Sequence, residues 1–152
     1  MEIDEFDRAI LREVQVDARQ TGDALGAAVG LSATAVQRRL KRLRVTGAIR
    51  REVAVLDPAI VGGLMTLMVG ITLQRGGAHV VDAFRRTVHA VPEIQQCYYT
   101  TGEFDFMLVV IARDMTAYEA FTRRVFFDNP EIAKFHTIVT IEAVKTGGHL
   151  PI

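Results

Sequence analysis

The 152-residue chain holds one cysteine, Cys97, and no tryptophan. A lone thiol excludes an intrachain disulfide framework. Charge of either sign is not in excess: 18 Lys and Arg balance 18 Asp and Glu, which argues against a surface coated throughout by nucleic acid. No apolar run is long enough to span a bilayer. The longest candidate, Leu64 to Leu73, supplies about half of the roughly 20 residues required. The opening Met1 to Asp7 is acidic, unlike a secretory leader. Asn129 precedes Pro130 and is no glycan acceptor. These absences lead to the expectation of a soluble cytoplasmic protein without a membrane partner.

Catalytic equipment is also missing. There is no Walker loop and no Gly-x-Gly-x-x-Gly. His79, His89, His136 and His149 are scattered without ligand spacing, so no metal site is expected. Gly30-Leu31-Ser32-Ala33-Thr34 begins like a nucleophile elbow, but Thr34 stands where the last glycine belongs. Cys97 sits in an apolar segment, as a core thiol does. The expectation is therefore no enzyme, no catalytic residue and no cofactor.

What the chain does have is concentrated between Thr21 and Arg51. Thr21 suits a helix N-cap, and Ala24, Leu25, Ala28 and Val29 form an apolar face. Gly30 accepts the left-handed backbone that stops a helix. Ser32 is then positioned to cap a second helix. From Arg38 to Arg51 there are seven Lys or Arg and no acid, whereas residues 2 to 37 carry seven Asp or Glu and three Arg. At about 100° per residue, Val36, Leu40 and Leu43 share one side of the second helix and Thr34, Arg38 and Lys41 the other. This is the pattern of a helix-turn-helix whose second helix enters a DNA major groove. Thr34, Gln37 and Arg38 lie early in that helix, where base edges are read; Gln pairs with adenine and Arg with guanine. Ser32, Lys41, Arg42 and Arg44 suit backbone contacts, as do Arg50 and Arg51 beyond Gly47. A cationic run on its own more often marks a solvated face. Here the capped turn and the lack of acidic partners at helical spacing favour double-stranded DNA.

A first helix, Asp4 to Val16, precedes this motif, with Phe6, Ile10, Leu11 and Val14 as its stripe. Ala48 to Leu56 alternates as a strand does, and Asp57-Pro58 breaks it. The remainder reads as strand Leu64 to Gln74, helix Ala78 to Ala90, strand Ile94 to Thr100, strand Phe104 to Ala112, a helix opened by the box Thr116…Glu119 and running to about Phe127, and strand Ile132 to Lys145. The tail Thr146 to Ile152 is loose or latches elsewhere. That order is a ferredoxin-like βαββαβ arrangement, and the fold class is α+β. The expected domains are residues 1–57, a helix-turn-helix domain with its following strand, a linker 58–63, and residues 64–152. Two helices cover only one face of four strands, so an apolar bare face and self-association are expected.

The turn Thr101-Gly102-Glu103 admits two readings. Gly102 can free backbone N–H groups for a carboxylate, Glu103 and Asp105 can accept from an ammonium, Thr100, Thr101 and Thr137 offer hydroxyls, and His136 lies in a nearby strand. Val91, Ile94 and Tyr99 would shape its apolar side. The other reading is a plain hairpin with solvated acids, since such turns are common.

The chain resembles the Lrp/AsnC, or feast-or-famine, family of regulators along nearly its whole length. The resemblance rests on Asp4-Glu5-Phe6-Asp7-Arg8-Ala9-Ile10-Leu11; on Leu25, Val29-Gly30-Leu31-Ser32, Val36, Arg38, Arg39, Leu40, Arg42, Leu43, Gly47 and Ile49; on Leu56-Asp57-Pro58; and on Val91-Pro92-Glu93-Ile94, Cys97, Thr101-Gly102-Glu103-Phe104-Asp105-Phe106 and Thr137-Ile138-Val139. It implies a sequence-specific transcriptional regulator whose carboxy-terminal domains pair into dimers and ring into octamers. It also implies a small effector, commonly an amino acid, bound near the Gly102 turn, with Thr100, Thr101, Glu103, Asp105, His136 and Thr137 around it. Two departures stand out. Glu103 replaces a customary Asp, and Gly26 replaces a customary Ala at a helix cost of about 1 kcal/mol. The competing expectation is a ligand-binding or interaction protein of the same fold that does not bind DNA.

Overall fold

A computed structural model describes residues 2–58 and 60–152. Met1, and position 59 within the expected linker, lie outside the described residues. The chain divides into two compact units, Met1–Val55 with Lys145–Ile152, and Leu56–Val144.

The first unit is three helices, each started by a side chain the sequence places there. Helix α1 (Glu5–Val16) opens with a reciprocal box: the Asp4 carboxylate accepts from the Asp7 amide at 2.8 Å, and the Asp7 carboxylate accepts from the Asp4 amide at 3.2 Å. Thr21 caps α2 (Gly22–Val29) and Ser32 caps α3 (Ala33–Val45), each accepting at 3.2 Å from an amide three residues on. These bonds satisfy amides that a helix start leaves without intrahelical partners. Gly30 ends α2 at φ 71°. Gly26 has a role the sequence did not reveal. The Leu31 amide donates to its carbonyl at 2.9 Å, and a Cβ on Gly26 would collide with the Leu31 carbonyl oxygen. The α2–α3 turn folds back onto bare backbone there. Ile10, Leu25, Val36, Leu40 and Leu43 close the core.

Residues 50–57 form no strand. The alternation expected at Ala48 to Leu56 exists, but Val53, Val55 and Leu56 are exposed, and a strand requires a hydrogen-bonded neighbour that this single chain does not provide. The tail latches rather than hangs: the Leu150 amide donates to Gln15 Oε1 at 2.5 Å, and Arg12 Nε donates to the Ile152 carbonyl. Lys145–Ile152 therefore packs with the first unit, although sequence assigned it to the second domain.

The second unit runs β1 (Met65–Leu73), α4 (Ala78–His89), β2 (Ile94–Tyr99), β3 (Phe106–Ala112), α5 (Met115–Thr122) with a π-helical turn Arg123–Phe127, and β4 (Ile132–Val139). Sheet order is β2-β3-β1-β4, every pair antiparallel, the ferredoxin-like order expected. Period-two alternation decides the faces. Leu67, Val69 and Ile71 of β1 and Phe106, Leu108 and Val110 of β3 are buried against Phe84, Tyr118, Phe121 and Phe126. Met68, Tyr98 and Ile138 stay exposed. Asp114, not Thr116, caps α5, accepting from the Ala117 amide at 2.7 Å; Glu119 instead pairs with Arg123. Asp114 is the first capping side chain met after β3. The last strand ends at Val139, short of the expected Lys145.

Candidate functional site

The surface of α3 sorts its cations into two groups. Thr34, Gln37, Arg38, Lys41 and Arg44 line one shallow concavity with Val45. Ser32 stands at its amino end, its hydroxyl occupied as the helix cap. Among the described residues Arg38, Lys41, Arg50 and Arg51 make no ion pair. Thr34, Gln37, Arg38 and Lys41, four exposed side chains at helical spacing, can thus meet phosphates and base edges together.

Arg39 and Arg42 are engaged within the unit, and Arg44, although it lines the concavity, is paired as well. Arg39 Nη1 reaches Asp4 Oδ2 at 2.7 Å and Asp7 Oδ1 at 2.8 Å, and its guanidinium lies 5.5 Å above the Phe6 ring. Arg42 Nη2 pairs with the other oxygen of Asp7, which is fully buried. Arg44 Nη2 lies 2.9 Å from Glu52 on the surface. The hydrogen bond from Arg39, then that from the Asp7 amide, holds Asp4 below the usual carboxylate range. The carboxylates of Asp4 and Asp7 in turn push the Arg39 guanidinium further up, keeping it charged. Acidic partners absent from α3 itself therefore arrive from α1 and from Glu52. Arg42, expected on phosphate, faces Asp7 instead. The signal was present in the sequence as Asp4 and Asp7 on one helix and Arg39 and Arg42 on another, each pair three apart. Nothing local linked the two pairs.

The turn of the second unit is built by its own backbone. The Thr100 amide donates to the Asp105 carbonyl at 2.9 Å, and the Thr100 hydroxyl to the Phe104 carbonyl at 2.6 Å. The Asp105 amide donates to the Ile71 carbonyl at 2.9 Å, and Asp105 Oδ2 accepts from the Leu73 amide at 2.8 Å. Asp105 thus pins the turn to the end of β1. Gly102 has φ 127°, and Thr101, Gly102 and Glu103 are exposed. The Phe104 ring rests over Gly70, where a Cβ would come within 2.6 Å of it, and its centroid is 6.2 Å from that of His136. Sequence reasoning passed over Phe104 and Gly70 as neighbours of this site.

Two groups of expected site residues do not join it. Thr137 follows His136 in β4 and so points to the opposite face; its hydroxyl meets the Tyr118 hydroxyl of α5 at 2.5 Å. Burial pushes the Tyr118 phenol up, and the Thr137 bond lowers it in part. Val91 and Ile94 pack with the core. The Tyr99 ring lies 4.9 Å from Phe106, with Arg85 5.4 Å over it. The turn and His136 are the part the fold gathers. Among the described residues no cluster of His, Cys, Asp or Glu could hold a metal ion, and no helix is long and apolar enough to cross a membrane.

Comparison with known proteins accounts for both halves. Residues 3–44 match the AsnC-type helix-turn-helix domain, and residues 66–150 match the Lrp/AsnC ligand binding domain. The chain is 44% identical over its full length to an uncharacterized HTH-type transcriptional regulator of Sinorhizobium fredii, covering 90% of it. It is 34% identical to the leucine-responsive regulatory protein of Escherichia coli, over 99% of this chain and 92% of that one. The fold is similar to that of a transcriptional regulator from Neisseria meningitidis solved with L-Met, at a TM-score of 0.90 and 26% identity over 99% of this chain and 97% of that one. The chain belongs to the Lrp/AsnC family of DNA-binding transcriptional regulators with a ligand-binding domain.

Proposed function

We propose that this Lrp/AsnC-family chain reads duplex DNA with Thr34, Gln37, Arg38 and Lys41 of α3, and that an amino acid at the Thr101–Glu103 turn alters its assembly or its affinity for DNA. Thr34, Gln37 and Arg38 meet base edges; Lys41, Arg44, Arg50 and Arg51 meet phosphates. The observation that carries this reading is the sorting of α3: among the described residues, Arg38 and Lys41 share one open surface and have no acidic partner.

The turn supplies groups of both signs. Gly102 leaves backbone open beside the exposed Glu103, and His136 stands beside the Phe104 ring. That combination suits a zwitterion. The Neisseria relative solved with L-Met supports an amino acid as the class. A ligand that prefers one assembly shifts the population toward it. The apolar bare face of the sheet, with Met68, Tyr98 and Ile138 exposed, supports a dimer joined there, and further association of dimers into octamers follows the family pattern. Two helix-turn-helix units per dimer would read half-sites a whole number of helical turns apart.

Anisotropy titration against DNA upstream of the chain's own gene, at two salt concentrations, tests the first half. Affinity that falls steeply with salt is expected. No binding even in dilute buffer would leave a ligand-binding protein of this fold without DNA. A thermal-shift screen of the twenty amino acids tests the second half, because a ligand of the native form raises the melting temperature.

A further inference from the structure

Two of the cations on α3 are held by one buried carboxylate. Asp7 is fully buried, and each of its oxygens takes one arginine: Oδ1 takes Arg39 at 2.8 Å and Oδ2 takes Arg42. Arg39 is further fixed by Asp4 and by the Phe6 ring. Arg42 is different. Its side chain is 44% exposed, it sits one residue from Lys41 on the same helix, and it is long enough to swing outward. Among the described residues its ion pair is with Asp7. Pulling Arg42 away takes a charged partner from a fully buried carboxylate, which then keeps only Arg39 and the Asp4 amide, and that loss exceeds what a screened surface contact returns.

We propose that Asp7 is a positioning residue that withholds Arg42 from DNA, limiting the phosphate contacts of α3 to the side bearing Lys41. This rests on the DNA-binding reading above. The arrangement favours discrimination between sequences. Phosphate contacts add affinity for every sequence equally, so a free Arg42 would raise binding everywhere and dilute the contribution of Gln37 and Arg38. Asp7 then does two jobs with one carboxylate: it ties α1 to α3, and it caps the count of mobile charges on the reading helix.

Counting released ions measures this directly, because each phosphate contact adds about 0.9 to the slope of log affinity against log salt. The full chain is titrated onto a labelled mixed-sequence duplex from about 50 to about 200 mM salt. Lys41→Gln is expected to lower the slope by about 0.9 per helix-turn-helix unit, and Arg42→Gln to leave it unchanged. Asp7→Asn keeps the shape and one acceptor oxygen but loses the charge. It is expected to steepen the slope by about 0.9 per helix-turn-helix unit, an extra loss of about 3.5-fold across that window for each unit, and adding Arg42→Gln is expected to reverse the gain. A purely structural Asp7 would alter stability and leave the slope alone, so an unchanged slope in folded Asp7→Asn overturns the proposal. A slope lowered by Arg42→Gln in the otherwise unaltered chain overturns it too, and needs no Asp7 variant to fold. Absence of salt-dependent binding by the unaltered chain, in contrast, overturns the DNA reading itself.

Discussion

Replacing Thr137 with valine separates structural from sensing roles on β4. Valine matches threonine in shape, so the change removes a hydroxyl and leaves no cavity. Tyr118 is 5% exposed, and its hydroxyl meets Thr137 Oγ1 at 2.5 Å. A buried hydroxyl stripped of its partner costs about 1–3 kcal/mol. Removing both hydroxyls with Tyr118→Phe and Thr137→Val leaves nothing unsatisfied, so the double variant should recover most of that loss. The expected coupling is about 1 kcal/mol or more. In a chain of this size it appears as a melting shift of about 2–4 °C per kcal/mol. Urea titrations followed by circular dichroism on the four proteins supply the cycle. Near-ultraviolet titration adds an independent reading: burial already raises the Tyr118 phenol, and losing the Thr137 bond should raise it further. Response to amino acids should persist, because Thr137 faces α5 and not the turn. Additive single effects would refute the hydrogen-bond argument. A Thr137→Val chain of normal stability that no longer responds to amino acids would refute the facing argument.

Other outcomes follow from the same geometry. Asp4 is held below the ordinary carboxylate range by Arg39, then by the Asp7 amide; its stabilising effect is therefore present above about pH 4 and is lost as pH falls through its lower folded value. Asp4→Asn should lower the melting temperature near neutral pH and narrow the gap to the parent in acid, as paired thermal melts would record. Gly70→Ala should push the Phe104 ring off its seat, since the new Cβ would lie 2.6 Å from it; an amino-acid thermal shift should shrink while DNA affinity without effector holds. Burial raises the Cys97 thiol, so alkylation of the native protein should be much slower than in urea, and equal rates would remove Cys97 from the core edge.

The helix-turn-helix was legible because its signals are local. Thr21, Gly30 and Ser32 each act on neighbours within a few residues, and the Val36, Leu40, Leu43 stripe needs only the helical period. The second unit was legible from the order of its elements. What sequence missed depended on distant partners. Arg42 meets Asp7 across 35 positions, and no local pattern announces that. The segment 48–56 alternates, yet alternation describes a side-chain pattern and not the neighbour a strand must bond. Gly26 looked like a weak helix position until the Leu31 carbonyl was seen above it. His136 and Thr137 are neighbours in the chain, but adjacent residues in a strand look to opposite faces, and Thr137 meets Tyr118 of the helix layer.

The parity of β4 also shapes how the protein can change over generations. Positions 134, 136 and 138 touch what lies outside the sheet, while 135 and 137 fit the helix layer beneath it. A substitution in the first set alters the outer surface without loosening the interior, and one in the second hardens or softens the body without altering that surface. Two heritable traits are written on alternate letters of the same eight-residue ribbon, each free to drift while the other is held.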